Sequence, residues 1–182
     1  MLKKIICIVI LCLAFLTPAH AENLSNDDSY QFYLPDSNKG KLSLTIGGGG
    51  LSPDSDKNDE DLDDGWMLLA AVDHRFYENN NFNFLGGLMY IYANYDDSEN
   101  LNEDSNLFFL YAKPSLKISS FMPYVIVGAG TDSEYYDGLT GLVGAGIDYN
   151  FYERWSVGVS YLHAENNERS YDMGVASIKY DF

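Results

Sequence analysis

The chain has little cysteine, with 2 in 182 residues, Cys7 and Cys12. Both lie in the first 21 residues, which have the features of a cleaved export signal, so the mature chain is expected to contain none. That absence excludes disulfide bonds and thiolate catalysis in the mature protein. It also suits folding in an oxidising compartment, where spare thiols would mispair.

Long apolar runs and basic residues are scarce as well. The longest apolar run, residues 5–16, is too short to cross a bilayer as a helix, which needs about 20 residues, and no later segment approaches that length. Lys and Arg number 11 against 27 Asp and Glu, which gives a formal net charge of −16. We therefore expect no nucleic-acid partner, because phosphates would repel so acidic a chain.

The N-terminus carries an export signal. Lys3 and Lys4 precede the apolar run, and Ala19-His20-Ala21 matches a small-residue cleavage site. We expect residues 1–21 to be a cleaved signal peptide, 22–40 a periplasmic lead-in and 41–182 the folded domain. A signal anchor would need a longer apolar run. A lipoprotein would need a small residue before Cys12, where Leu stands.

The last residues alternate strictly between two kinds of side chain. The small or apolar set is Ala176, Ile178, Tyr180 and Phe182, and the polar set is Ser177, Lys179 and Asp181. In a strand the two sets point to opposite faces. Apolar residues outward and charges inward are typical of the closing strand of a membrane barrel.

The same alternation recurs in eight runs, at residues 42–46, 66–77, 82–95, 107–118, 123–131, 139–150, 155–161 and 175–182. The third run is apolar on both faces, so its orientation stays open. Acidic or polar linkers (50–65, 96–106, 132–138 and 165–171) alternate with short ones (79–81, 119–122 and 151–154). An even strand count with loops sorted in this way predicts an all-β, eight-stranded antiparallel up-and-down transmembrane β-barrel. A soluble β-sandwich would not sort its loops so regularly.

These patterns resemble the small eight-stranded outer-membrane barrels, the group of the OmpA transmembrane domain and the OmpX/Ail surface proteins. The resemblance rests on residues 123–130, residues 144–149 and the terminal strand, in which Tyr180 and Phe182 resemble the assembly signal of such proteins. It implies location in the bacterial outer membrane. The partners it implies are outer-membrane lipids and lipopolysaccharide, the barrel-assembly machinery and a possible host or matrix ligand.

Charged residues fall on the inward faces of the predicted strands: Asp73, Arg75, Lys113, Lys117, Asp148, Lys179 and Asp181. An eight-stranded barrel encloses just enough space for side chains. Because unpaired buried charges are costly, we expect these residues to pair and to plug the interior.

The acidic segment 54–64 offers a possible weak cation site. Asp54, Asp56, Asn58 and Glu60 supply oxygen ligands of the kind that Ca²⁺ or Mg²⁺ prefers. The segment is not an EF-hand, since Asp59 replaces the required glycine. A solvated charge run is the alternative. No other cofactor is expected, because the glycine-rich segments lack the complete nucleotide-binding patterns.

His163 is the strongest catalytic candidate. Lipid A deacylases, which resemble this chain near the last loop, use a His-x-Ser pair as base and nucleophile. Here the residues read His163-Ala164-Glu165, and Ser170 lies too far along the chain to replace the missing serine locally. We therefore predict a non-enzymatic surface protein that displays acidic loops for envelope integrity, adhesion or ligand contact. An outer-leaflet lipid-modifying enzyme and a narrow channel remain alternatives.

Overall fold

A computed structural model describes residues 42–55, 64–96, 102–133, 139–167 and 169–182. The expected signal peptide and lead-in lie outside these residues. The strands are β1 (Leu42–Ser55), β2 (Gly65–Glu78), β3 (Phe82–Asp96), β4 (Asn102–Leu116), β5 (Phe121–Asp132), β6 (Thr140–Tyr152), β7 (Trp155–Glu165) and β8 (Arg169–Asp181).

Each strand pairs antiparallel with its neighbours in the sequence, and β1 pairs with β8 to close the barrel. The predicted all-β, eight-stranded up-and-down architecture is confirmed. We call the end with the connections 79–81, 117–120 and 153–154 the turn end, and the opposite end the loop end. Strand β1 starts at the turn end, and β8 finishes there.

Three linker predictions at the loop end were wrong in extent. Strand β4 starts at Asn102, inside the predicted linker 96–106. Strand β1 continues past Gly50 and pairs with β8 as far as Ser55, opposite Arg169. Strand β8 starts at Arg169, so most of the predicted linker 165–171 is strand. Polar residues and glycine normally indicate a loop, but here backbone pairing with the neighbouring strand continues through them.

Burial alternates residue by residue, as the period of a strand requires. Along β2 the even-numbered residues from Trp66 to Phe76 are exposed, and the odd-numbered residues from Met67 to Arg75 are buried. The register also resolves β3, where Met89 and Ile91 point inward and Leu88 points outward. Leu88 is 66% exposed, so the outer face is an apolar belt.

The interior at the loop end is an apolar core. Its members come from all eight strands and include Leu51, Met67, Ile91, Leu107, Phe109, Ile126, Leu142, Leu162 and Met173. Gly49 allows close packing beside this core, because an added Cβ would lie 1.7 Å from the carbonyl oxygen of Gly174. Strands β1 and β8 therefore approach each other at a point where no side chain fits.

Within the described residues, no helix has the length and hydropathy needed to cross a membrane.

Candidate functional site

The interior at the turn end is built around Asp148. Its Oδ2 accepts hydrogen bonds from Lys113 Nζ at 3.0 Å and from Lys179 Nζ at 3.4 Å, and all three side chains are buried. Gly158 makes room for the carboxylate, since a Cβ there would lie 2.3 Å from Asp148 Oδ1. Three strands, β4, β6 and β8, thus bring one carboxylate and two ammonium groups together.

A second group of charges lies nearer the rim of the turn end. Arg75 Nη2 lies 3.3 Å from Asp181 Oδ2, and its Nη1 lies 2.8 Å from Glu78 Oε2. Glu78 also pairs with Lys117. Glu78 was missed by the sequence pattern because it stands at the end of β2, just after the register shift between Arg75 and Tyr77. Such a bulge breaks the simple alternation of faces.

Asp73 is buried too, but its hydrogen-bond donors are hydroxyl groups. It accepts from Tyr111 and, at 3.4 Å, from Ser43. Six of the seven predicted interior charges are buried in the barrel, whereas Lys117 follows the end of β4 and pairs with Glu78 at the rim. All except Asp73 form ion pairs with one another or with Glu78. Asp73 is held by hydroxyl groups, which a search for charged residues overlooks.

Tyr124 adds an aromatic contact to the charged interior. Lys113 Nζ lies 3.7 Å from the centroid of its ring, a cation–π distance. The ring fits because Gly146 faces it, where an added Cβ would lie 2.6 Å from the Tyr124 hydroxyl oxygen. An inward glycine opposite an aromatic residue is the sequence signal that could have revealed this contact.

A separate polar cluster closes the interior at the loop end. Tyr171 donates a hydrogen bond to Asp132 at 2.8 Å, and Ser105 donates to the same carboxylate. Arg169 donates to the Tyr95 hydroxyl. All five residues are buried. The sequence pattern missed this cluster because its members come from the strand ends, several of which were interpreted as linker.

His163 lies on the outer face near the loop end. Its Nδ1 is 2.8 Å from Asp172 Oδ1, which also accepts from Tyr161, and its Nε2 is 3.8 Å from Glu165 Oε2. Ser170, distant in the sequence, pairs directly with Glu165 across β7 and β8. It therefore lies diagonal to His163 on the same face, although no hydrogen bond joins the two side chains.

Of the four predicted cation ligands, one lies within the residues that the structure describes. Asp54 lies in β1 opposite Ser170, and Asp56, Asn58 and Glu60 lie outside the described residues. In the part of the chain that the structure describes, no group of three or more His, Cys, Asp or Glu side chains is arranged to hold a metal ion.

The predicted assembly residues lie at the turn end. The Tyr180 ring lies tilted against Trp155, with ring centroids 4.7 Å apart, and meets Phe182 edge-on at 5.0 Å. The backbone N–H of Phe182 donates to the carbonyl oxygen of Leu42 at 2.9 Å, across the closure of the barrel. The terminal residue is thus placed where the first and last strands meet.

Comparison with known proteins gives one family and several similar folds. The family model described as an outer membrane protein beta-barrel domain matches residues 7–182. No curated protein sequence matches the chain. The structure of Ail, the attachment invasion locus protein of Yersinia pestis, is 19% identical with a TM-score of 0.53, and the match covers 79% of this chain and 99% of Ail. Another Ail structure contains the heparin analogue sucrose octasulfate.

Two further structures have the same fold. Neisserial surface protein A is 10% identical with a TM-score of 0.56, covering 79% of this chain and 98% of that one. The outer membrane enzyme PagL is 13% identical with a TM-score of 0.50, covering 77% and 99%. Identities this low establish the fold alone. Together with the family match they confirm the resemblance to small outer-membrane barrels and the bacterial outer membrane as the location.

Proposed function

The chain belongs to the family of outer membrane protein beta-barrel domains, and we propose that it is a non-enzymatic surface protein that displays acidic loops outside the cell. The observation that carries this proposal is the filled interior. Ion pairs occupy the turn end, apolar side chains occupy the loop end, and the cluster around Asp132 covers them. A barrel with so little free space in its lumen leaves binding to its loops.

The orientation follows from the connections. Outer-membrane barrels have short periplasmic turns and longer extracellular loops, so we assign the turn end to the periplasm. Residues 56–64, the larger part of the acidic segment 54–64, then join β1 to β2 on the cell surface, and the single basic residue of that segment is Lys57. Its charge disfavours the polyanionic ligand class seen with Ail. We propose instead a basic host or matrix ligand, or Ca²⁺ or Mg²⁺ that bridges the loop to the phosphates of lipopolysaccharide.

The loop proposal can be tested on whole cells. In a variant with Asp54, Asp56, Asp59, Glu60 and Asp61 all changed to Asn or Gln, we expect binding of polylysine-coated beads to fall at least fivefold at low salt. A matched control neutralises Glu153, in a periplasmic turn, and should bind like the wild type. A second arm adds a chelator, which should weaken association with lipopolysaccharide but leave polylysine binding intact. Equal binding by the neutralised variant and the wild type would refute the proposal.

The narrow channel is tested by conductance. Because Asp148, Lys113 and Lys179 meet across the lumen, we expect pure protein in planar bilayers at neutral pH to show little steady current. Reproducible open-channel steps would overturn the plug and, with it, the argument that function lies in the loops.

We propose that the barrel-assembly machinery recognises Tyr180 and Phe182. Replacing Phe182 with Asp should lower the folded protein in outer-membrane fractions, whereas replacing it with Tyr should not. Equal amounts of folded protein from both variants would contradict this role.

One observation favours a second candidate function, an outer-leaflet lipid hydrolase. Asp172 holds His163 through Nδ1, as a catalytic histidine is oriented by its carboxylate. Ser170 lies on the same face and is a possible nucleophile once substrate has closed the gap to Nε2. In this arrangement the serine comes from the adjacent strand, so a search of the sequence for His-x-Ser does not find it.

The test uses lipid composition and covalent labelling. If the hydrolase exists, expression should change the acyl content of outer-membrane lipids, and a fluorophosphonate should label the wild type but not Ser170→Ala. His163→Gln should abolish labelling as well, whereas Ser160→Ala, on the inward face of the same β7, should not. Absence of labelling and of any lipid change would eliminate this candidate and leave the display function standing.

A further inference from the structure

The apolar outer face of the barrel carries a groove near the turn end, with a volume of about 590 Å³. It follows a single row of paired residues across five strands, namely Leu42, His74, Gly86, Ala112 and Val127. The floor is formed by Gly86 and Ala112, whose side chains are absent or small. The groove therefore forms because one row of residues on the outer face has small side chains in the middle of the row.

Larger side chains form the two walls. Phe76 and Phe84 lie on the side of the turn end, with ring centroids 6.3 Å apart, and Leu88 and Leu110 lie on the other side. Leu110 is 68% exposed and Leu88 66% exposed, so the wall projects from the belt. A side chain at Gly86 would crowd the wall of the groove, because an added Cβ would lie 3.0 Å from the Phe76 ring.

His74 is the polar exception at one end of this apolar groove. Its imidazole contacts Phe76 edge-on at 4.9 Å and has no hydrogen-bond partner among the residues that the structure describes. A polar group without a partner is costly at a surface that faces lipid. On the outer face of β2, His74 stands between Val72 and Phe76, each about 7 Å away along the strand. Because both neighbours are apolar and exposed, the imidazole lies within the apolar belt, near its edge at the turn end.

We propose that this groove binds one glycerophospholipid of the periplasmic leaflet, with an acyl chain along Gly86 and Ala112 and a lipid oxygen hydrogen-bonded to His74. The volume falls within the range of about 300–1,000 Å³ that is usual for small-ligand sites. Between lipid and protein there is no hydrophobic driving force, so residence must come from van der Waals contact and from polar groups. The groove supplies the contact, and His74 supplies the hydrogen bond in a medium where water does not compete.

A second copy of the barrel fits the groove less well. Packing of two such belts would press Leu88 and Leu110, which project, against each other and would leave His74 facing hydrocarbon. A phospholipid satisfies both features at once, because its chain is flexible and its oxygens accept hydrogen bonds.

The experiment is native mass spectrometry of the full chain, folded in liposomes of phosphatidylethanolamine and phosphatidylglycerol and transferred to a mild detergent. We expect the wild type to retain one phospholipid per barrel. Ala112→Phe, which fills the floor, should lower that fraction at least tenfold, and His74→Phe at least threefold. Ala145→Phe, an equal enlargement on the outer face of β6 away from the groove, should behave as the wild type.

Further arms separate the possible outcomes. Liposomes doped with diacylglycerol distinguish an ester oxygen from a phosphate as the partner of His74, because diacylglycerol retains only the ester. Folding of each variant is checked by the mobility shift between heated and unheated samples on gels. Equal lipid retention by Ala112→Phe and Ala145→Phe would overturn the proposal. It would also be overturned if Ala112→Phe lost a dimer peak and not a lipid peak.

Discussion

The two halves of the barrel interior are filled by different kinds of side chain. At the turn end, Asp148 is shared by Lys113 and Lys179, and Arg75 bridges Glu78 and Asp181. At the loop end, the same inward positions of the strands carry Leu, Ile, Met and Phe side chains. The strands are continuous through both halves, so the side chains alone make the difference.

A narrow barrel can therefore be filled by more than one kind of side-chain chemistry. Ion pairs are directional and depend on every partner being present, whereas apolar packing depends on volume. The charged half should therefore be sensitive to the loss of any one partner, and the apolar half to the loss of bulk.

The largest effect is expected from removing the shared carboxylate. Asp148→Ala leaves two ammonium groups buried without their acceptor, and we expect it to lower the free energy of unfolding by about 3–5 kcal/mol. Urea unfolding in detergent, followed by tryptophan fluorescence, measures it. The control is Glu153→Ala, an exposed carboxylate in a turn. A loss no greater than that of the control would show that the ion pairs do not hold the turn end.

A triple variant sharpens the same point. Lys113→Met, Asp148→Leu and Lys179→Met together replace the ionic cluster by apolar groups, and we expect stability to return to within about 1–2 kcal/mol of the wild type. Stability as low as that of Asp148→Ala would mean that the charges themselves, and not their pairing, are required.

In the apolar half we expect a smaller loss that follows buried volume. Leu162→Ala, 1% exposed, should lower the free energy of unfolding by about 2–4 kcal/mol through lost contacts and the cavity that remains. Leu68→Ala, 54% exposed on the outer face, is the matched control and should cost less. Equal losses would contradict the packed apolar core.

The smallest effects are expected from two inward hydroxyl groups of β1. The Oγ1 atom of Thr45 is buried and has no partner, whereas Ser43 donates to Asp73. Thr45→Val should therefore change the free energy of unfolding by less than about 0.5 kcal/mol, and Ser43→Ala should lower it by about 1 kcal/mol. Both are measured by the same urea titration. A larger loss of unfolding free energy in Thr45→Val than in Ser43→Ala would show that the Thr45 hydroxyl, and not that of Ser43, makes the stabilising hydrogen bond.

Several features of the site could be predicted because they depend on period alone. Asp73, Lys113 and Asp148 are buried in the interior, and each stands at the inward parity of a strand whose other face is apolar. Glu78 was missed because a register shift precedes it. Ser170 was set aside because it is distant from His163 in the sequence, but residues that are distant in the sequence can be neighbours across a hairpin.

The strand ends at the loop end could not be predicted for a related reason. Strand β1 passes through Gly50 to Ser55, a glycine and polar segment that locally favours a loop. What keeps it extended is pairing with β8 opposite Tyr171 and Arg169. Such long-range backbone hydrogen bonds leave no mark in the local composition.

Local period and composition are enough to specify the strand number, the two faces of each strand, the closing strand and the acidic character of the loops. The pairing of the charges, the position of Ser170 relative to His163 and the groove across five strands beside His74 become visible only in the folded barrel. These depend on register, and register arises when the barrel closes and every strand must match two neighbours at once.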